Sequence, residues 1–178
     1  MNEEKNINNL ELIKVISDIL SAIIEENKKL PNIKQILLNQ KKMCFSEKTI
    51  PNILIYDYLK RIQDYSFIER NTLILSLIYI DRLCTLGQIT LTHYNIHRIL
   101  FGAILISIKY NEDIFYGNNY YAEIAGVKIN ELNSIEYSFF LLCNYDLFVS
   151  DEIFKQYNAY LIFSSEIKKN ISLVKEEL

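Results

Sequence analysis

The residue whose type and position are best suited to chemistry in this chain is a lysine at the end of its most apolar run. Lys109 follows eight apolar positions between residues 99 and 108. An ammonium group there interacts favourably with the helix dipole, by roughly 0.3–1 kcal/mol, but a buried stem could also aim it at a partner. Glu136 lies at the edge of a later apolar helix face, where a carboxylate is usually solvated. The residues alone leave a structural and a partner-binding role open for both.

The residue types that serve catalysis or metal binding lack the necessary companions. His93 and His97 are four residues apart and could share a metal on one helix face, but no nearby Glu, Asp or Cys completes a ligand set. The three cysteines, Cys44, Cys84 and Cys143, are far apart and show no CxxC spacing. The sequence has neither a nucleophile elbow nor a glycine-rich phosphate loop. We therefore expect no enzyme, no metal, no cofactor and no small-molecule substrate.

Composition narrows the class of protein and the partners it can have. Half of the 178 residues are hydrophobic, and only 4 Gly and 2 Pro are available for tight turns. Without period-two alternation, this composition favours an all-α fold. A formal net charge of -3 gives no electrostatic footprint for nucleic acid. The apolar run is shorter than the roughly 18–20 residues that cross a bilayer.

The expected location follows from the cysteines and the N-terminal residues. Unpaired, scattered cysteines fit a reducing compartment, and MNEEKNINN lacks the basic and apolar segments of a signal peptide. We expect an intracellular protein, in the nucleus, the cytoplasm or both, without a membrane partner.

Hydrophobic periodicity predicts helices along most of the chain. The first spans residues 10–26, with Asn8 or Asn9 as its cap, and residues 32–50 are predicted to be mostly connector. Pro51 is predicted in the first turn of a helix that runs to about residue 64. Ser66 and Glu69 have capping-box spacing before the next helix, which is expected to stop at a left-handed Gly87.

The central helix is predicted within residues 93–110, apolar on nearly every side. A short helix should begin at Asn118 or Asn119 and end at Gly126. A longer helix should start at Asn130, and a last one at Ser150 that frays after residue 164. These elements divide the chain into an N-terminal helix and connector (1–50), a five-helix middle (51–149), and a C-terminal helix and tail (150–178).

This ordered set resembles the cyclin box, a five-helix bundle with the third helix buried at its centre. YIDRL at residues 79–83 ends the second helix, and ILISIKY at residues 104–110 ends the third. HRIL at residues 97–100 and the segment 113–157, beginning DIFYGNNYYAEIAG, are similar to the single-box P/U-type cyclins of the phosphate pathway. The resemblance implies one further helix before the box and one after it, and no second box.

The resemblance also implies a function. Cyclins of this family have no catalytic activity and bind a cyclin-dependent serine/threonine protein kinase through their third and fifth helices, in cell-cycle or nutrient control. They hold the kinase helix that carries the catalytic glutamate in its active position. The family's kinase-contacting lysine and glutamate fall on Lys109 and Glu136. Tyr110, Glu112 and Asp113 are predicted to join that interface.

Two residues of the second helix are assigned a structural role, Asp81 because the family's aspartate falls there, and Arg82 beside it. The sequence departs from other cyclins in lacking MRxxL followed by tryptophan; Arg61 is the nearest basic residue. Substrate docking by that route is therefore not predicted. The alternative function is a cyclin-fold adaptor or scaffold that binds partners without activating a kinase.

Overall fold

The computed structural model describes the backbone of residues 7–176 and the side chains of residues 7–169. Within that part of the chain every regular element is an α-helix, as predicted. The eight helices are α1 (Asn9–Asn27), α2 (Ile33–Gln40), α3 (Ile55–Ser66), α4 (Arg70–Leu86), α5 (Ile96–Asn111), α6 (Asn118–Ala125), α7 (Ile129–Leu142) and α8 (Asp151–Glu176). None of the helices so described is long and apolar enough to cross a membrane.

Helix α5 lies at the centre of the bundle, which confirms the predicted buried helix. Every residue from Ile96 to Ile108 except Arg98 is buried. Helices α4, α6 and α7 pack around α5, while α1 packs against α3, α4 and α8. The cyclin-box order is thus α3 to α7, with α1 before it and α8 after it.

One glycine sets how closely α5 and α7 approach each other. A Cβ atom on Gly102 would lie 2.8 Å from Ile135 Cγ2 and 3.2 Å from Phe139 Cδ2. Carbon atoms do not pack that closely, because dispersion contacts between them are optimal at about 3.5–4.0 Å. Gly102 therefore allows the two helices to pack closely together, so that side chains at their edges can meet.

Two predictions about how α3 and α4 begin are wrong. Pro51 lies outside α3, because residues 51–54 are not helical and His97 Nε2 bonds Ile53 O at 2.9 Å, holding that segment on α5. Ser66 is the last residue of α3, and its hydroxyl has no partner within the described chain, so there is no capping box. Glu69 is the N-cap of α4, but its side chain makes no capping hydrogen bond.

Helix α4 stops at Gly87 as predicted, but the left-handed conformation predicted for that glycine is wrong. Gly87 has φ -80°, and the left-handed residue is Gln88, with φ 50°. Gly87 is instead required by a close approach, since a Cβ there would lie 2.7 Å from Leu83 O. By contrast, the predicted stop at Gly126 is confirmed, with φ 72° after α6.

The regions outside the box contain more helix than the sequence indicated. Helix α2 lies within the predicted connector. Helix α8 continues to Glu176 rather than fraying after residue 164, because side chains of its C-terminal half pair with α1. Lys168 Nζ lies 2.7 Å from Asp18 Oδ2, and Lys169 Nζ lies 2.6 Å from Glu11 Oε1. At the N-terminus of α1 the predicted cap is present: the Glu11 N–H donates to Asn8 Oδ1 at 2.9 Å.

Candidate partner-binding site

The two residues singled out from the sequence meet in the folded chain. Lys109 stands in the last turn of α5 and Glu136 in the middle of α7, and Lys109 Nζ lies 2.6 Å from Glu136 Oε1. Their side chains are only 26% and 15% exposed, so the pair is partly desolvated. A charge-assisted hydrogen bond of this kind is stronger than one between neutral groups. This ion pair thus joins the third and fifth helices of the box.

A third side chain, which sequence reasoning did not assign to the site, completes this arrangement. Asn118, the first residue of α6, donates from Nδ2 to Glu136 Oε2 at 2.8 Å and to Asn133 Oδ1 at 2.8 Å. The two amide hydrogens of Asn118 are therefore both used. The sequence carried no signal for this contact, because Asn118 and Glu136 are 18 positions apart. The carboxylate of Glu136 is held from both sides.

The pair keeps capacity to bind a partner. An ammonium group has three donors, and each carboxylate oxygen accepts more than one hydrogen bond. In the described part of the chain Glu136 is the acceptor of Lys109, and each oxygen of Glu136 receives one donor. The pair can therefore offer both donors and acceptors to a backbone segment laid across it.

Apolar side chains are exposed on the elements around the pair. They are Tyr110 at the end of α5, Ile114 and Phe115 in the segment before α6, Tyr137 and Leu141 on α7, and Tyr145 and Phe148 after it. Tyr137 is 62% exposed and Leu141, one turn further, 49%. Exposed aromatic residues beside a partly buried polar pair are typical of interface cores.

Glu112 has a role within the chain that the sequence did not reveal. Its Oε1 accepts hydrogen bonds from the backbone N–H of Glu69 at 3.1 Å and from the Thr72 hydroxyl at 2.7 Å. A carboxylate at a helix N-terminus satisfies free N–H groups and interacts favourably with the dipole. Glu112 therefore takes the place of the absent capping box at α4. Tyr110 and Asp113, which were predicted to join the same interface, are exposed.

Asp81 and Arg82 connect α4 to the segment around the start of α8. Asp81 accepts a hydrogen bond from the Tyr157 hydroxyl of α8. The Arg82 guanidinium donates to the carbonyls of Asp146 and Phe148, the latter at 2.9 Å, and lies over the Tyr79 ring. These contacts hold the turn that presents Phe148, which fits the structural role proposed for both residues.

The remaining candidates from the sequence are engaged in contacts within the bundle. Arg61 Nη2 donates to Glu123 O at 3.2 Å. His93 Nε2 lies 3.1 Å from Glu25 Oε1. His97 bonds Ile53 O, and burial lowers the pKa of its imidazole. Within the described residues no group of three or more His, Cys, Asp and Glu side chains is arranged to hold a metal.

The tyrosines around the α5–α6 connection pack against one another. The rings of Tyr116 and Tyr120 have centroids 4.4 Å apart, and the Tyr116 N–H donates to the Tyr121 hydroxyl at 3.3 Å. The Tyr120 hydroxyl donates to Tyr65 O at 2.7 Å. These tyrosines hold the connection that carries Ile114 and Phe115.

Comparison with known proteins agrees with this architecture. The cyclin family model matches residues 9–147, and the chain belongs to the cyclin family. Within it, the chain is of the P/U type.

Three relatives illustrate that assignment. PHO85 cyclin-7 of Saccharomyces cerevisiae is 31% identical over 166 residues, covering 83% of this chain and 58% of its own length. PHO85 cyclin-like protein psl1 of Schizosaccharomyces pombe is 33% identical, covering 86% and 66%. Cyclin-U2-1 of Arabidopsis thaliana is 32% identical, covering 84% and 68%. The chain thus spans about three fifths to two thirds of the length of these relatives.

Proposed function

We propose that this chain is the regulatory subunit of a cyclin-dependent serine/threonine protein kinase and supplies no catalytic group of its own. The observation that carries the proposal is the 2.6 Å contact between Lys109 and Glu136. It places the two residues that the cyclin resemblance assigns to kinase binding side by side, on the third and fifth helices of the box.

The kinase would bind across the ends of α5 and α7. The free donors of Lys109 suit backbone carbonyls of a kinase helix, and the free acceptor positions of Glu136 suit its amides. Tyr137 and Leu141, exposed on α7, would pack against apolar side chains of the same kinase segment. A polar anchor inside an apolar surround is the arrangement in which a few residues dominate affinity.

Activation would follow from selective binding. A kinase needs a glutamate on one mobile helix to pair with the lysine that contacts ATP. A cyclin that binds only the conformer in which this pair is made shifts the kinase population toward that conformer. Because most of α5 is buried and α7 packs closely on Gly102, we expect the binding surface to keep one shape against the kinase helix.

The first kinase to test is one of the PHO85 type, because two of the relatives are named as PHO85 cyclins or cyclin-like proteins. Purified kinase would be titrated with the chain while binding and phosphotransfer to a generic peptide are followed together. Saturable binding with a matching rise in phosphotransfer is expected, and the chain alone should show no ATP turnover. Binding without stimulation would favour the adaptor alternative, and absence of both, also with other cyclin-dependent kinases, would refute the proposal.

A further inference from the structure

Helix α2 and the segment after it form a second surface with a composition of its own. Only Gln40 of α2 is buried, so the helix lies on the outside of the bundle. A cleft of about 330 Å³ opens beside it. We use the term basic α2 surface for six residues that line this cleft: Lys34, Leu37, Leu38, Lys41, Lys48 and Tyr94.

The lysines of this surface are not neutralised by the residues that the structure describes. Lys28 and Lys29, at the end of α1, pair with Glu25 at 2.7 Å and Glu26 at 2.6 Å. For the three lysines of the basic α2 surface, by contrast, the described residues supply no carboxylate within ion-pair distance, and Lys42 adds a fourth exposed ammonium nearby. A local concentration of unpaired positive charge is notable in a chain whose formal net charge is -3.

One carboxylate does line the cleft, but its charged neighbours lie elsewhere. Burial raises the pKa of Glu47, and the charges that act on it are those of Arg98 and Glu131. Those two residues line the adjoining cleft between α3, α5 and α7. Although Glu47 lines the same cleft, no ion pair joins it to Lys34, Lys41 or Lys48 among the residues that the structure describes.

The apolar residues of the surface lie between its charges. Lys34, Leu37, Leu38 and Lys41 follow a spacing of three or four residues, which puts them along one side of α2. Leu38 is 64% exposed, and Tyr94 faces the same cleft from the segment before α5. A second, smaller apolar cavity of about 90 Å³ lies next to Leu37 and Tyr94, so this side of α2 has room to adjust to an inserted side chain.

We propose that the basic α2 surface docks an acidic polypeptide segment that carries an apolar residue among its carboxylates. The unpaired lysines attract the carboxylates, and Leu37, Leu38 and Tyr94 receive the apolar side chain. The surface contains lysines but no arginine, and a lysine lacks the bidentate geometry with which arginine recognises nucleic-acid phosphates. An eight-residue helix with one strongly exposed leucine is too small to insert into a membrane surface.

This surface is separate from the one proposed for the kinase. Asn95, directly before α5, lies in hydrogen-bond contact with Gln40 at the end of α2. Lys109 is at the opposite end of α5, which is about 24 Å long at 1.5 Å per residue. An acidic segment could therefore occupy the α2 end while a kinase occupies the other.

The test is a fluorescence anisotropy titration of the full chain with a labelled acidic peptide. The probe has six carboxylates around a leucine-phenylalanine pair. We expect saturable binding that weakens several-fold when salt rises from about 50 mM to about 300 mM. The double variant Lys34→Glu with Lys41→Glu should weaken it by about tenfold or more, and Leu38→Ser by a smaller factor. Replacing the peptide carboxylates by amides, or its apolar pair by serines, should reproduce these losses without altering the protein.

Lys14→Glu is the matched control. Lys14 is also exposed, but it lies on α1 and not on the basic α2 surface. This variant should bind the peptide like the original chain. An equal loss with Lys14→Glu would show a general charge effect and overturn the proposal. Absence of saturable binding would also overturn it, as would tighter binding of a single-stranded oligonucleotide or of anionic vesicles. The titration contains no kinase, so its failure would leave the proposed kinase binding untouched.

Discussion

Removing the ion pair between α5 and α7 should affect kinase binding far more than it affects folding. The changes are Lys109→Ala, Glu136→Ala and the double variant. In the free chain the pair is partly buried, so each single change should lower the free energy of unfolding by about 1–2 kcal/mol. Glu136→Ala should cost more than Lys109→Ala, because Glu136 also accepts from Asn118.

The loss of binding is expected to be larger. At the centre of an interface, truncating one member of a charged pair leaves the other member and the kinase backbone groups unpaired, which costs about 2–4 kcal/mol. That is roughly 30- to several-hundred-fold in Kd. Since both changes damage one site, the double variant should lose much less than the sum of the singles. Affinity and stimulated phosphotransfer would be measured at a temperature where melting curves show every variant folded.

The chain offers a control pair on the same two helices. Arg98 Nη2 lies 3.3 Å from Glu131 Oε1, in the first turns of α5 and α7, whereas Lys109 is in the last turn of α5 and Glu136 is in the middle of α7. Glu131 also accepts from the backbone N–H of Lys128, so Glu131→Ala should cost about 1 kcal/mol of stability. Its kinase affinity should not change. Unchanged affinity in the Lys109 and Glu136 variants, or an equal loss in Glu131→Ala, would refute the reasoning.

Three further predictions concern stability. Deleting residues 1–30 should prevent folding, because α1 buries an entire face in the core. Deleting the residues after 167 should lower the free energy of unfolding by only about 1 kcal/mol, because it removes two exposed ion pairs. Equal melting temperatures for the two truncated chains would contradict this. Glu112→Ala should lower the free energy of unfolding by about 1–2 kcal/mol, measured by denaturant titration, because α4 loses its capping carboxylate; an unchanged midpoint would count against that role. Burial lowers the folded-state pKa of His97 below its unfolded value, so the unfolded chain binds more protons there and stability should fall as pH drops below about 6.5. His97→Gln should flatten this slope in melts between about pH 5.5 and about pH 7.5, and an unchanged slope would exclude His97 as its source.

The sequence predicted the structure best where the residues of a single segment determine its conformation. The uninterrupted apolar run around residues 99–108 could only be a buried helix, and Gly126 ends α6 with the left-handed conformation that was predicted. Predictions failed where a residue that is distant in sequence determines the local structure. The capping box predicted at Ser66 is absent, and α4 is capped instead by Glu112, 43 positions away from Glu69. Likewise Pro51 is held outside α3 in a segment bound by His97.

The candidate site shows the same division. The resemblance assigned Lys109 and Glu136 together to one kinase interface, but neither periodicity nor composition indicated that they bond each other at 2.6 Å. That contact depends on the close approach of α5 and α7 at Gly102 and on Asn118 from a third helix. Such convergence is a property of packing, which local sequence patterns do not encode. The same limit applies to Glu112, which was predicted to join the interface but is engaged with α4 in the structure.

Hydrogen exchange of the chain with and without its kinase tests the central claim most directly, because it shows where the kinase lies. Binding should slow amide exchange at the end of α5, in the segment that carries Ile114 and Phe115, and along α7 around Glu136 and Leu141. Residues of α1, α2 and α8 should exchange at the same rate in both states. Protection confined to α1 or α8, with α5 and α7 unchanged, would contradict the account.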